Sequence, residues 1–329
     1  MAPIPDKFNS SCISLKMSDS KKKLDSGVLT IATGAAEYKE MARSLALSLK
    51  RFSPNLTLAV VTDDDTLRDC FDVIVPVDWT RGKGVLQKMY LDLYTPFRCT
   101  LFIDCDCLVF RDISYIFDIF SGGYSIVPTD VYELSSRHPR DIDFRKMQSK
   151  ISQPWIYGFN GGAYYIERDT DSQKIFERGR DIAKVFREYG IPDFRDGEPN
   201  DEYLLATAMA ELKAPVIPCW HQLLQIPLGL EGKFDIDVAL GKANFEIYGK
   251  NSRPAIVHFC GYFREWPEYK RECLKLKTLH SSGGSLFRAR LTSILFYGRQ
   301  FGDRAYRYIP RPLRMLWQGF KSRLKKRNR

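Results

Sequence analysis

The sequence predicts an α/β fold, a mostly parallel mixed sheet with helices on both faces, followed by a basic helical tail. Three observations carry this. Short apolar runs bounded by polar residues alternate with longer stretches of helical period. Strands and helices in such alternation specify a largely parallel sheet that is covered on both sides. One of the runs, LFIDCDCLVF (101–110), carries Asp104 and Asp106 just past its apolar start, and open α/β sheets bind ligands at the carboxyl ends of their strands.

In chain order, VLTIAT (28–33) reads as the first strand and is followed by a helix over 36–51 with Met41, Leu45, Leu47 and Leu49 among its apolar positions. LTLAVVT (56–62) and VIVP (73–76) are the next strands, and a helix over 85–93 leads into the strand at 101–103. SIVP (125–128) and GGAYYIE (161–167) add two strands, then helices cover 172–188 and 202–212, and AIVHFCG (255–261) closes the sheet. The polar segments 129–156, 193–201 and 227–253 read as loops, the first as a surface lid. The resulting division is a disordered polar leader over 1–26, a catalytic body over 27–270 and a basic amphipathic tail over 271–329.

Charge divides the same way. The whole chain carries a formal +10, yet residues 270–329 hold 17 Lys and Arg against only Glu272 and Asp303, so the body is mildly acidic and the tail strongly basic. The leader has no apolar stretch of the secretory kind, and no run approaches the roughly 20 apolar residues that span a bilayer. The eight cysteines are scattered without a CxxC pair, so they read as small core residues in a reducing, cytoplasmic setting.

The acidic pair supplies the chemistry. Side chains alternate along a strand, so residues at i and i+2 point the same way. Asp104 and Asp106 are then side by side with Cys105 and Cys107 on the opposite face, and two adjacent anions call for a hard divalent cation between them. Lys88 stands 16 residues upstream. Asn160, Gly161 and Gly162 precede a strand where glycine permits close approach of a ligand to the backbone. Asp201 and Glu202 open a helix, as capping acids or as functional ones. His258 ends a buried strand, with Gly261 and Arg264 in the turn beyond it.

In this order and spacing the residues resemble glycosyltransferase family 8, retaining enzymes of the GT-A fold that include glycogenin, galactinol synthases and bacterial lipopolysaccharide galactosyl- and glucosyltransferases. The resemblance runs from about Val28 to Trp266. It implies a tyrosine stacked on the uracil at Tyr38, donor-sugar contacts at Asn160, Gly161 and Gly162, and the family's Asp–Gln pair at Asp201 and Glu202. It matches the family's His–x–x–Gly–x–x–Lys–Pro–Trp turn at His258, Gly261, Arg264 and Trp266. It further implies donor contacts at Ala32, Thr33, Arg81 and Cys105. Metal ligands would be Asp104, Asp106 and His258, a mixed oxygen and nitrogen set suited to Mn²⁺ with Mg²⁺ second. Catalytic roles fall to Asp201, Glu202 and Lys88. Glu202 stands where the family has glutamine, Arg264 where it has lysine and Glu265 where it has proline, so no single member's donor sugar carries over.

The reaction the resemblance implies moves a hexose from a nucleotide-diphosphate sugar, UDP-linked in the family's manner, to a carbohydrate or glycolipid acceptor with retention. No carboxylate declares itself a covalent nucleophile; Asp201 and a same-face substitution both stay open. Two alternatives stand beside it, a nucleotidyltransferase acting on a sugar phosphate and a catalytically inactive membrane-associated binding module. In the tail, Leu313, Leu316, Trp317, Phe320 and Leu324 fall on one helical stripe, and Phe287, Leu291, Ile294 and Leu295 on another. A basic helix with such a face suits an anionic membrane surface. Docking of the stripes on the body is the competing reading. No nucleic-acid motif is present. A peripheral membrane location is expected, and a homodimer is the remaining partner considered.

Overall fold

The computed structural model describes residues 25–296 apart from 121–123, 136–141, 169–170, 196, 215 and 217–222. The stripe at 313–324 and the leader up to residue 24 lie outside these residues. Six strands form the central sheet: β1 (Ser26–Ala32), β2 (Thr57–Thr62), β3 (Val73–Pro76), β4 (Cys99–Ile103), β6 (Ser125–Glu133) and β7 (Trp155–Glu167), in the order β3-β2-β1-β4-β7-β6. β5 (Cys107–Val109) belongs to a second sheet. The pairs β3–β2, β2–β1 and β1–β4 are parallel, and β7 runs antiparallel to both β4 and β6. Every residue of β2 and β4 is buried, as expected of strands covered on both faces.

Alternate residues feed two cores. Val28, Leu101 and Ile103 face α1 (Ala36–Phe52). Leu29, Phe102 and Tyr164 face the opposite core, which holds α2 (Phe144–Lys150), α3 (Ser172–Lys184) and α4 (Asp201–Leu212). The predicted helix at 85–93 is a 3-10 helix over Gly84–Tyr90 followed by one α-turn, Leu91–Tyr94.

Three expected loops contain regular structure. The lid region continues β6 as far as Glu133 and includes α2, whose first turn is capped by Asp143 accepting from Arg145 N and Lys146 N at 3.2 Å. Segment 193–201 forms a small ribbon, β8 (Asp193–Arg195) with β9 (Glu198–Pro199). Segment 227–253 is an antiparallel sheet of β11 (Leu230–Asp237), β12 (Lys242–Ile247) and β13 (Lys250–Ser252). Its alternation of Ala243, Phe245 and Ile247 inward is a period-two pattern, and glycines with positive φ, Gly241 at 65° and Gly249 at 72°, make its turns.

The last predicted strand is short. β14 (Ile256–His258) lies between β10 (Leu224–Gln225) and β5 in the second sheet.

The expected boundary at residue 270 falls inside α5 (Pro267–Ser281), which packs on the body through Tyr269, Leu276 and Leu279. A buried charge network fixes it. Glu272 Oε2 accepts from Val238 N at 2.7 Å, and its Oε1 meets Arg271 Nε at 2.5 Å and Lys275 Nζ at 3.1 Å. Lys275 also reaches Asp237 at 3.0 Å. Beyond it, a helix over 286–296 rests Ala289 against Ala239 and Leu279 and leaves Phe287 75% and Ile294 68% exposed.

Glu272→Gln leaves two buried cations without their shared anion. It is expected to lower stability by about 3–5 kcal/mol, read as a shift of the urea midpoint; an unchanged midpoint would show that the network contributes nothing.

Candidate active site

The site forms where β4 ends. Asp104 follows the strand, residues 105 and 106 make a turn, and β5 departs at Cys107 into the second sheet. The two carboxylates therefore converge through a turn and not through the alternation of one strand. The expected placement of both cysteines away from the acids is corrected for Cys107, whose sulfur lies within 4.8 Å of the Asp106 and His258 donor atoms. Cys105 is buried.

β7 is irregular at the same level. Its register with β6 jumps from Ile126↔Tyr164 to Pro128↔Phe159, so Asn160, Gly161 and Gly162 bulge out of that ladder and point their backbone groups inward. Gly162 C=O accepts from Asp104 N at 3.0 Å, and Gly161 C=O accepts from Lys88 Nζ at 3.1 Å. Gly161 N donates to Glu202 Oε1 at 2.6 Å. Both positions need glycine. A Cβ on Gly162 would meet His258 Nδ1 at 2.4 Å, and one on Gly161 would meet the Tyr164 hydroxyl at 2.7 Å.

His258 is buried, and its Nε2 lies 2.9 Å from Asp106 Oδ1 and 3.7 Å from Asp104 Oδ2. Its Nδ1 is bonded to Asn160 Oδ1, which also accepts from Gly162 N at 3.0 Å. That contact assigns a proton to Nδ1 and aims Nε2 at the acids, where it donates to Asp106 when protonated and offers a lone pair to a cation when not. Burial opposes charging the imidazole, but Asp106 outweighs it and raises the His258 pKa above 6.5.

Lys88 Nζ lies 2.7 Å from Asp104 Oδ2 and 3.5 Å from Asp201 Oδ2. Burial opposes its charge too, and Asp104 with Asp201 overcomes this and raises its pKa. The two acids respond differently. Burial raises the pKa of Asp104, with the Asp106 charge adding to it, whereas His258 holds Asp106 low despite its burial.

Asp201 is buried at the start of α4 and accepts from the Tyr164 hydroxyl at 2.5 Å. Asn200 caps the helix, its Oδ1 accepting from Glu202 N at 2.9 Å. The segment bearing Lys88 is itself held from behind. Arg180 of α3 donates to Met89 C=O at 2.7 Å and forms a two-pronged pair with Asp92 at 2.8 and 3.1 Å.

The fold thus brings Lys88, Asp104, Asp106, Asn160, Gly161, Gly162, Asp201, Glu202 and His258 into one linked cluster. Tyr38 and Arg264 form another, with the guanidinium 5.8 Å from the ring centroid and 3.6 Å from Glu37. Gly261 opens the 3-10 turn between β14 and Arg264 at φ 61°. Ala32 ends β1, its carbonyl accepting from Thr62 at 2.7 Å, and Thr33 follows it. Arg81 pairs with Asp78 at 3.0 Å and lies over Tyr94 at 4.6 Å. Tyr164 and the Asn160–His258 bond were not anticipated. A tyrosine inside a buried strand needs a hydroxyl partner, which is the signal that could have found the first.

The donors fit a divalent cation. Two carboxylates lie 2.9 and 3.7 Å from the imidazole Nε2, and an ion bound there would take the place of the proton that Nε2 shares with Asp106.

No protein-family model matches the chain. It is 26% identical over 172 residues to general stress protein A of Bacillus subtilis (strain 168), a match over 50% of this chain, and the chain spans about half, 52%, of that relative's length. Among solved structures it is similar to an active-site mutant of LgtC, with TM-score 0.49 and 12% identity over 71% of this chain and 87% of that one. It is also similar to the glycosyltransferase GlyE of Streptococcus pneumoniae TIGR4, with TM-score 0.41 and 13% identity over 59% and 45% of the two chains.

The His258–Asp106 pair carries a pH signature. Because the folded pKa is raised, its contribution to stability is full below the unfolded value of about 6.5 and is lost as pH rises through the folded value. In chelator-treated protein, the His258 NMR titration midpoint is expected above 6.5 and lower in Asp106→Asn. Equal midpoints in the two proteins would show that the pair does not form.

Proposed function

We propose that this chain is a metal-dependent, retaining glycosyltransferase of the GT-A type, moving a hexose from a UDP-linked donor to a carbohydrate or lipid-linked acceptor. The observation that carries the reading is the convergence of Asp104, Asp106 and the Nε2 of His258, with Lys88 joining Asp104 to Asp201. Asp104, Asp106 and His258 would hold Mn²⁺, or Mg²⁺ as second choice. That ion supplies Lewis-acid stabilisation of the charge developing on the departing diphosphate.

The remaining roles belong to the protein. Tyr38, at the start of α1 beyond the end of β1, stacks on the base, and Ala32 and Thr33 line the nucleotide's approach. Arg264 adds a fixed cation for the diphosphate with fork geometry. Lys88 places positive charge between the acidic pair and Asp201. Asp201 accepts from the Tyr164 hydroxyl and lies 3.5 Å from Lys88, a position from which it stabilises an oxocarbenium-like centre. Glu202 fixes the Gly161 amide and so holds the bulge that faces the sugar. As an anion that only accepts hydrogen bonds, it selects hydroxyl donors on the sugar.

The exposed stripe of Phe287, Leu291, Ile294 and Leu295, flanked by Arg288 and Arg290, supports peripheral contact with an anionic membrane. Among the described residues no helix is long and apolar enough to cross one.

A panel of nucleotide sugars with Mn²⁺, scored for free nucleotide, tests the reaction. Asp104→Asn is expected to lower release at least about 100-fold. Wild-type turnover in that variant would refute the metal assignment, and pyrophosphate as product would favour a nucleotidyltransferase. For the membrane contact, Phe287→Asp with Ile294→Asp should abolish flotation with anionic vesicles. Flotation equal to the parent's would remove the stripe from that role.

A further inference from the structure

Cys107 lies directly opposite His258 in the antiparallel pairing of β5 with β14. Residues so paired carry their side chains on the same face, with Cβ atoms about 4.5–5.5 Å apart. The carboxylate of Asp106, the sulfur of Cys107 and an imidazole nitrogen of His258 all lie within 4.8 Å of one another. The carboxylate of Asp104 is drawn the other way, toward Lys88 at 2.7 Å. The turn after β4 therefore presents two overlapping donor sets. One is oxygen-rich, Asp104, Asp106 and His258; the other contains oxygen, nitrogen and sulfur, Asp106, Cys107 and His258.

We infer that Asp106, Cys107 and His258 form a second, thiolate-containing cation site, selective for a thiophilic divalent ion such as Zn²⁺ or Cd²⁺. It excludes the harder ion by sharing two of its ligands. The inference rests on the metal reading above only for the claim of competition with Mn²⁺. Zn²⁺ takes such mixed sets tetrahedrally, with sulfur at about 2.3 Å and nitrogen at about 2.0–2.1 Å, and sulfur favours Zn²⁺ over Mn²⁺. Among the described residues the thiol donates to Gly162 C=O at 3.8 Å, a weak contact for a weak donor. On binding, the metal–sulfur bond replaces the S–H bond and the thiol proton leaves to solvent, with no change of oxidation state. A thiophilic ion seated here would act as an inhibitor of the proposed transferase.

Cd²⁺ titration of the full-length, chelator-treated protein tests this. The readouts are the ultraviolet thiolate-to-cadmium charge-transfer band and the paramagnetic resonance signal of Mn²⁺ freed on addition of Cd²⁺. The wild type and Cys105→Ser are expected to develop the band and to release their Mn²⁺. Cys107→Ser is expected to bind Mn²⁺ as the wild type does, but on addition of Cd²⁺ to lose the Cys107-dependent part of the band and to keep the Mn²⁺ that the wild type releases. His258→Gln keeps the sulfur in place and should also lose that part, which guards against a folding defect in Cys107→Ser. A band unchanged in both variants, or Cd²⁺ bound to the wild type without a band, would overturn the inference. A Cys107- and His258-dependent band in a protein that never binds Mn²⁺ would instead support this site and refute the manganese reading.

Discussion

The arrangement depends on how three carboxylates are kept together in a small, half-buried space. Asp104, Asp106 and Asp201 would repel one another if each were ionised without a partner. Each is answered by a donor: His258 for Asp106, Lys88 for both Asp104 and Asp201, and the Tyr164 hydroxyl for Asp201 as well. The surrounding backbone follows from these pairings. Gly162 must lack a side chain so that the imidazole can reach the acids, and Gly161 so that Tyr164 can reach Asp201. The bulge in β7 is the consequence, since a regular strand would spend those amides and carbonyls on its neighbour.

Much of this was legible in the sequence because it is local. The apolar runs at 57–62 and 101–103 are buried central strands, and the acids do sit at the carboxyl end of one. Alternation within a strand predicts that the carboxylates share a face, and a turn at 105–106 brings them together while freeing Cys107 to swing to the same side. That turn depends on β5 pairing with β14, about 150 residues away, and no local pattern encodes such a partnership. The hairpin at 230–247 is a different case. Its period-two pattern and its glycines were present, and polar residues on its open face disguised them.

The C-terminal region shows how one element can be split between two surroundings. Ala289 is fully buried against Ala239 and Leu279, so the helix over 286–296 is seated on the body by a small residue. Its larger apolar side chains are turned outward. Seating and exposure therefore come from opposite faces of the same helix, and the stripe of Phe287, Leu291, Ile294 and Leu295, for which docking on the body is the competing expectation, is on the exposed face.

The guanidinium of Arg180 has a mechanical consequence. It grips the carbonyl of Met89 and the carboxylate of Asp92, immediately after the lysine whose ammonium reaches the acids. Residues 88–92 thus behave as a short cantilever bolted to α3, with the amine at its free tip. The reach of that tip is set by a helix whose arginine holds Asp92 and not Asp104, Asp106 or Asp201, so drift in the packing of α3 would retune the electrostatics of the cluster without altering a single residue that lines it.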